Sequence, residues 1–199
     1  MTSVDTVSGN VNEHTPVITN SIAKLGVSFI FASIGYFISL AAGGESTFAS
    51  WLHAPFLGPA IFGGIYYIFW ITLAKELCGK YYGIVVSLLL ASFYLLEGPW
   101  FSIVVPTWYS IIGIISALVL GYLTERFNGA VGLAVFMIIN WICYYTIAVY
   151  PHWSSYYTLS GVIIALILSI VSGFVGDYVA RYVAKFIRSY YFSKQKVSV

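Results

Sequence analysis

Residues 57–100 read "LGPAIFGGIYYIFWITLAKELCGKYYGIVVSLLLASFYLLEGPW". Two apolar runs, Leu57–Ala74 and Tyr81–Leu96, flank a short turn that carries Lys75 and Lys80. A helix needs about 20 apolar residues to cross the hydrocarbon core of a bilayer. The first run fits that length. The second is short and is bounded by Gly79 and Gly83 on one side and Gly98–Pro99 on the other; a short span is accommodated by thinning the bilayer or by shielding from neighbouring helices. The stretch therefore reads as a helical hairpin in lipid, with basic residues at its turn and one carboxylate, Glu97, at its far end.

The rest of the chain agrees. Of its 199 residues, 60% are hydrophobic and only 8% charged, and the mean hydropathy is +0.89. Soluble domains carry about 25% charged residues, so this chain cannot cover a water-facing surface and lipid must be its main solvent. Its net charge of +2 has no concentrated footprint of the kind nucleic acids require. Cys78 and Cys143 stand apart, in no metal-binding pattern, and read as small apolar packing residues. The first 20 residues are polar and lack a basic stretch leading into a short apolar core, which argues for a flexible tail and against a cleavable signal peptide.

Four further apolar runs complete the pattern: Ile22–Ala42, Phe101–Leu123, Ala130–Tyr150 and Thr158–Val179. Pro106, near the start of the run from Phe101, marks either its first turn or a kink. With six spans, Lys24, Lys75, Lys80, Arg126, Arg181, Lys185, Arg188, Lys194 and Lys196, all nine basic residues, fall on one side. Five or seven spans would scatter them. The positive-inside rule makes that side cytoplasmic. The expected fold is all-α: a multi-pass protein of the cell membrane with six transmembrane helices and both termini inside. Its expected parts are a tail over 1–20, a membrane domain over 21–190 and a short basic tail over 191–199.

The opposite side holds three connections without Lys or Arg: Gly43–Phe56, Glu97–Trp100 and Pro151–Tyr157. The first is long, opens on Gly43–Gly44 and carries Trp51, the makings of a lid. Glu97 follows Tyr94 by about one helical turn, with Trp100 and Trp108 close behind; a carboxylate beside aromatic faces suits a cationic or hydrogen-bond-donating ring. Asn140 lies in mid-span with Tyr144 one turn outward. An amide in lipid needs a partner, so Asn140 either bonds a neighbouring helix or floors an outward-opening pocket. The expected ligand-binding set is Glu97, Trp51, Tyr94, Trp100, Trp108, Asn140 and Tyr144, with most other aromatics forming an interfacial belt. His53 and His152 are isolated and read as surface residues. No nucleophile motif, phosphate-binding loop, zinc motif or carboxylate pair is present, so no enzymatic activity, metal or cofactor is expected.

Small residues recur every fourth position at Gly113, Ala117 and Gly121, at Ser172, Gly176, Ala180 and Ala184, and at Ser28 and Ala32. Such stripes let helices approach closely in lipid. They serve packing within the chain or docking of a partner, and Ser28, Ala32, Gly176, Ala180 and Ala184 are the candidates for docking. The basic, aromatic stretch Asp177–Tyr191 also fits anionic headgroups.

The stretches "APFLGPAIFGGIYYIFWITLAKELCGKYYGIVVSLLLASFYLLEGPW" (54–100) and "LSGVIIALILSIVSGFVGDYVARYVAKFI" (159–187) together resemble the substrate-binding S component of energy-coupling-factor vitamin transporters. The carboxylate and Gly/Pro turn at Glu97–Pro99 are most similar to the pyrimidine/thiamine type. The family's alanine-xxx-alanine motif in the first helix appears here as Ser28–Ala32. The resemblance implies a vitamin-like ligand held in an outward-facing pocket capped by the loop after the first helix. It also implies partners, a transmembrane coupling subunit and two ATPases, since this chain has no ATP-binding motif. The alternative is a structural or assembly membrane protein that binds partner subunits through its small-residue helix faces; a self-contained channel is a third reading.

Overall fold

The structure, a computed structural model, describes residues 16–41, 57–97, 109–143 and 158–197. Among these residues it is all-helical, with no strand. Six rods follow in order: α1 (Ser21–Ala41), α2 (Leu57–Cys78), α3 (Tyr82–Glu97), α4 (Tyr109–Arg126), α5 (Gly129–Cys143) and α6 (Leu159–Val197). Three segments, Ser21–Ala41, Leu57–Cys78 and Leu159–Tyr191, are long and apolar enough to cross a membrane; Tyr82–Leu96 and Gly129–Cys143 are apolar but shorter.

Polar side chains set the helix starts. Asn20 Oδ1 accepts from the amides of Ile22 and Ala23, Asn128 Oδ1 from Val131, and Thr158 Oγ1 from Gly161. Each satisfies first-turn donors that have no partner within the helix. The start of α3 is capped from another helix. The Glu125 carboxylate, on α4, accepts from Tyr81 N at 2.9 Å, Gly83 N at 2.8 Å and Ile84 N at 3.3 Å. An anion there also suits the positive end of the helix dipole. The turn before it needs unusual backbone: Gly79, at φ 100°, ends α2, and Tyr81 sits at φ 76°. The second is uncommon for a residue with a side chain, and its amide is held by Glu125.

α2 is the central helix. It touches all the others, while α1, α3, α4, α5 and α6 follow one another round it. Buried positions make up 72% of its apolar segment, against 17% in α1 and 28% in α6. The core is built on α2's Leu57, Ala60, Tyr66, Tyr67, Ile68 and Ile71, with Leu133, Phe136 and Met137 of α5 and Val86 and Leu90 of α3. The outward faces of α1 and α6 remain apolar, with Phe29, Ile30 and Phe37 on one and Ile163, Ile167 and Val171 on the other exposed. Such extended apolar surface marks contact with lipid or protein.

The small-residue stripes are used inside the chain. A Cβ on Gly176 would lie 2.3 Å from Gly64 O, and one on Gly173 would lie 2.5 Å from Gly129 O. α6 therefore packs backbone to backbone against α2 and α5. Ser28, Ala32, Ala180 and Ala184 are fully buried. Ala180 and Ala184 pack with Leu73, Leu77 and Cys78 of α2, beside Val17 and Ile18.

Three boundaries differ from the sequence reading. α6 follows its small-residue stripe past the end of the apolar run at Val179 and continues to Val197, through the stretch expected as a basic tail. Hydropathy ends there, yet Arg, Lys and Tyr do not break a helix. Residues 16–20, expected within the flexible tail, are tied down, since Val17 N and Ile18 N both donate to Leu77 O. α2 runs on to Cys78 and contains a π-helical segment, Gly64–Ile68. The start expected for the fourth span and the end expected for the fifth lie outside the described residues.

Candidate functional site

Two clusters stand out, one at each end of the bundle. At the end away from the basic residues, an aromatic wall joins four helices. Tyr94 of α3 meets Tyr36 of α1 edge-on at 5.3 Å between ring centroids and Tyr67 of α2 at 6.1 Å. Tyr67 in turn meets Phe136 of α5 at 5.8 Å. The Tyr94 hydroxyl donates to Ser39 Oγ of α1. Asn140, one turn after Phe136, is 1% exposed, and its Nδ2 donates to Phe136 O at 2.8 Å.

Tyr94, expected in the site, is part of this wall; Asn140, also expected there, is buried one turn beyond Phe136 and bonds a carbonyl of its own helix. Glu97 is the last residue of α3, one turn beyond Tyr94 on the same helix; its side chain lies outside the described residues. Trp51, Trp100, Trp108 and Tyr144 lie wholly outside them.

Tyr67, Tyr36, Phe136 and Ser39 are not singled out by the sequence alone. The π-helical turn Gly64–Ile68 carries Tyr66 and Tyr67, both buried. Such turns insert one residue into a helix and occur often at functional sites. Here the turn lies where Gly64 N donates to Ser172 Oγ of α6 at 2.8 Å. The paired glycines Gly63–Gly64, followed closely by two tyrosines, are the one legible signal for it.

At the basic end, a polar clamp ties α2 to α6. Buried Asp177 accepts from Thr72 Oγ1 at 2.7 Å and from Arg181 Nε at 3.0 Å. Arg188 pairs with Glu76 at 2.9 Å and also donates to the Glu76 carbonyl. Arg181 lies 4.0 Å from Glu76. Lys75 Nζ donates to the Glu125 carbonyl at 2.9 Å, which links α2 to α4. Every described carboxylate at this end is thereby engaged, and the clamp is a structural joint between helices. Among the described residues no group of His, Cys, Asp and Glu has the makings of a metal site.

No protein-family model matches the chain, and neither does any curated protein or solved structure.

Proposed function

We propose that the chain is the substrate-binding membrane subunit of an ATP-driven importer of a vitamin or vitamin precursor, spanning the cell membrane six times with both termini in the cytoplasm. The observation that carries this reading is the aromatic wall Tyr36–Tyr67–Tyr94–Phe136, with buried Asn140 one turn beyond Phe136 on α5. It lies in the half of the bundle that leads to the cation-free connections. A small aromatic ring rests against the half-buried Tyr36 and Tyr94, with Tyr67 and Phe136 packed behind them in the core; Glu97 supplies charge or a hydrogen bond, and the loop Gly43–Phe56 with Trp51 closes over it.

Magnitudes constrain the mechanism. A cation over an aromatic face is worth about 0.5–2 kcal/mol, whereas nanomolar affinity needs about 12 kcal/mol. A few wall contacts fall far short, so tight binding requires an enclosed, dry chamber, and closure of the loop is the step that provides it. The chain lacks an ATP-binding motif, so the energy for release inward comes from partner ATPases through a coupling subunit.

The small-residue faces, Ser28 and Ala32 included, are packed between the chain's own helices, so neither an assembly partner nor a coupling subunit docks on them, and the exposed apolar faces of α1 and α6 are the surfaces left for one. The test is capture of the tagged full chain from its native membranes in mild detergent. A membrane subunit and two ATPases with phosphate-binding loops are expected. Co-purification with a membrane complex devoid of nucleotide-binding subunits would overturn the proposal.

A further inference from the structure

The cations at the basic end differ in what holds them. Arg181 and Arg188 are paired with Glu76 and Asp177. Lys75 is spent on a backbone carbonyl. Half-buried Lys24 lies over the Tyr82 ring, 5.3 Å from its centroid, and among the described residues Lys80, Arg126 and Lys185 likewise have no carboxylate partner, these three being exposed. The carboxylates at this end are already engaged, Glu125 by the amides of α3 and Glu76 and Asp177 by the two arginines.

Each of these three exposed cations is followed in sequence by an exposed aromatic. Tyr81 is 59% exposed, Phe127 59% and Phe186 67%. Lys80 Nζ lies 4.7 Å from the Tyr81 ring centroid. Lys80–Tyr81 and Arg126–Phe127 are neighbours, since Glu125 bonds the Tyr81 amide, and Lys185–Phe186 lies on the far part of α6. Tyr122, Tyr178 and Tyr182 add exposed rings on the helices that carry the last two pairs.

We infer that these three cation–aromatic pairs form a girdle that binds the headgroups of anionic lipids in the leaflet at the basic end. A Lys or Arg reaches a lipid phosphate while the aromatic beside it sits at the boundary with the acyl chains. Each cation carries its own exposed aromatic neighbour, the pairing that the boundary between headgroups and acyl chains favours. The inference rests on the membrane reading above but is independent of any ligand at the other end.

The test is thermal unfolding of the full chain in neutral detergent, with phosphatidylglycerol or phosphatidylcholine titrated in. Each cation near an anionic surface contributes about a fivefold gain in binding. The half-effect concentration is therefore expected to be at least about tenfold lower for phosphatidylglycerol. The preference should vanish in the triple variant K80Q/R126Q/K185Q and fade at high salt. The single variants, each altering one exposed side chain, should lose part of it even if the triple variant unfolds. Equal response to the two lipids, or a preference that survives in the variants, would overturn the girdle. Failure of both lipids to stabilise the chain would overturn the girdle together with the membrane reading, whereas failure of vitamin binding would leave both intact.

Discussion

Gly64→Ala probes the closest approach in the bundle. A Cβ at Gly64 would lie 2.0 Å from the Ser172 carbonyl oxygen and 2.7 Å from its carbonyl carbon, both backbone atoms that cannot rotate away. Ordinary contact begins near 3.4 Å, so α2 and α6 must part by about 1.4 Å, and gaps of that size forfeit much of the dispersion energy along the seam. Overpacking of this kind costs about 1–3 kcal/mol. Loss of the Gly64 N to Ser172 Oγ bond adds about 1 kcal/mol, and alanine's better helix propensity returns a little under 1 kcal/mol. The net cost is about 1–3 kcal/mol, so at about 2–4 °C per kcal/mol for a chain of this size the melting temperature should fall by roughly 2–12 °C. The control is Gly26→Ala, where nothing lies within 4 Å of the new Cβ; it should raise stability by about 0.5–1 kcal/mol. Thermal unfolding of both variants in detergent, followed by circular dichroism, measures the difference. If Gly64→Ala melts at or above the wild type while Gly26→Ala behaves as expected, α2 and α6 are not in backbone contact and the seam between them is packed differently.

Other perturbations address the caps, the clamp and the wall. Glu125→Ala removes the acceptor of three α3 amides and should cost about 1–2 kcal/mol; hydrogen exchange should quicken at Gly83 and Ile84, and unchanged protection there would exclude capping from α4. Asp177→Ala leaves the buried Thr72 hydroxyl without its acceptor and should cost about 1–3 kcal/mol. Combined with Thr72→Val it should show a coupling of about 0.5–3 kcal/mol, and strict additivity would mean the pair does not interact. Tyr94→Phe keeps the ring contacts but loses the bond to Ser39, a loss of about 0.5–1.5 kcal/mol in thermal unfolding. Glu97→Gln should weaken ligand binding at least about tenfold, or roughly 1.4 kcal/mol, measured by equilibrium titration; unchanged affinity would remove Glu97 from the site.

The helices of the described residues are legible in the sequence because each coincides with an apolar run. Helix ends are less so. The apolar run of α6 ends at Val179, where charged residues begin, while the small-residue stripe, legible in sequence as far as Ala184, carries the same packing face onward against Leu73 and Leu77. Helix continuation depends on backbone propensity and tertiary contact, which hydropathy does not report. The acidic residues at the basic end are the main omission. Placing only Lys and Arg orients the bundle, but Glu76, Glu125 and Asp177 decide which of those cations are engaged and which face outward. Asp177 and Arg181 stand four apart, a spacing visible in sequence, whereas the bonds from Glu125 to α3 join residues more than 40 positions apart. In and beside the wall, Tyr94 and Asn140 stand out through their polarity in an apolar span. Tyr67 does not, because one tyrosine among 17 carries no mark of its own. Its place depends on the π-helical turn, which changes the face on which the following residues emerge.

The central claim, that the outer half of this bundle binds a small aromatic ligand, is tested most directly by tryptophan fluorescence of the purified full chain. The titration uses vitamins and their precursors, with thiamine and its pyrimidine moiety first. Saturable quenching at submicromolar ligand is expected, weakened at least about tenfold in Glu97→Gln. A folded wild-type chain that gives no response across the panel would contradict the claim.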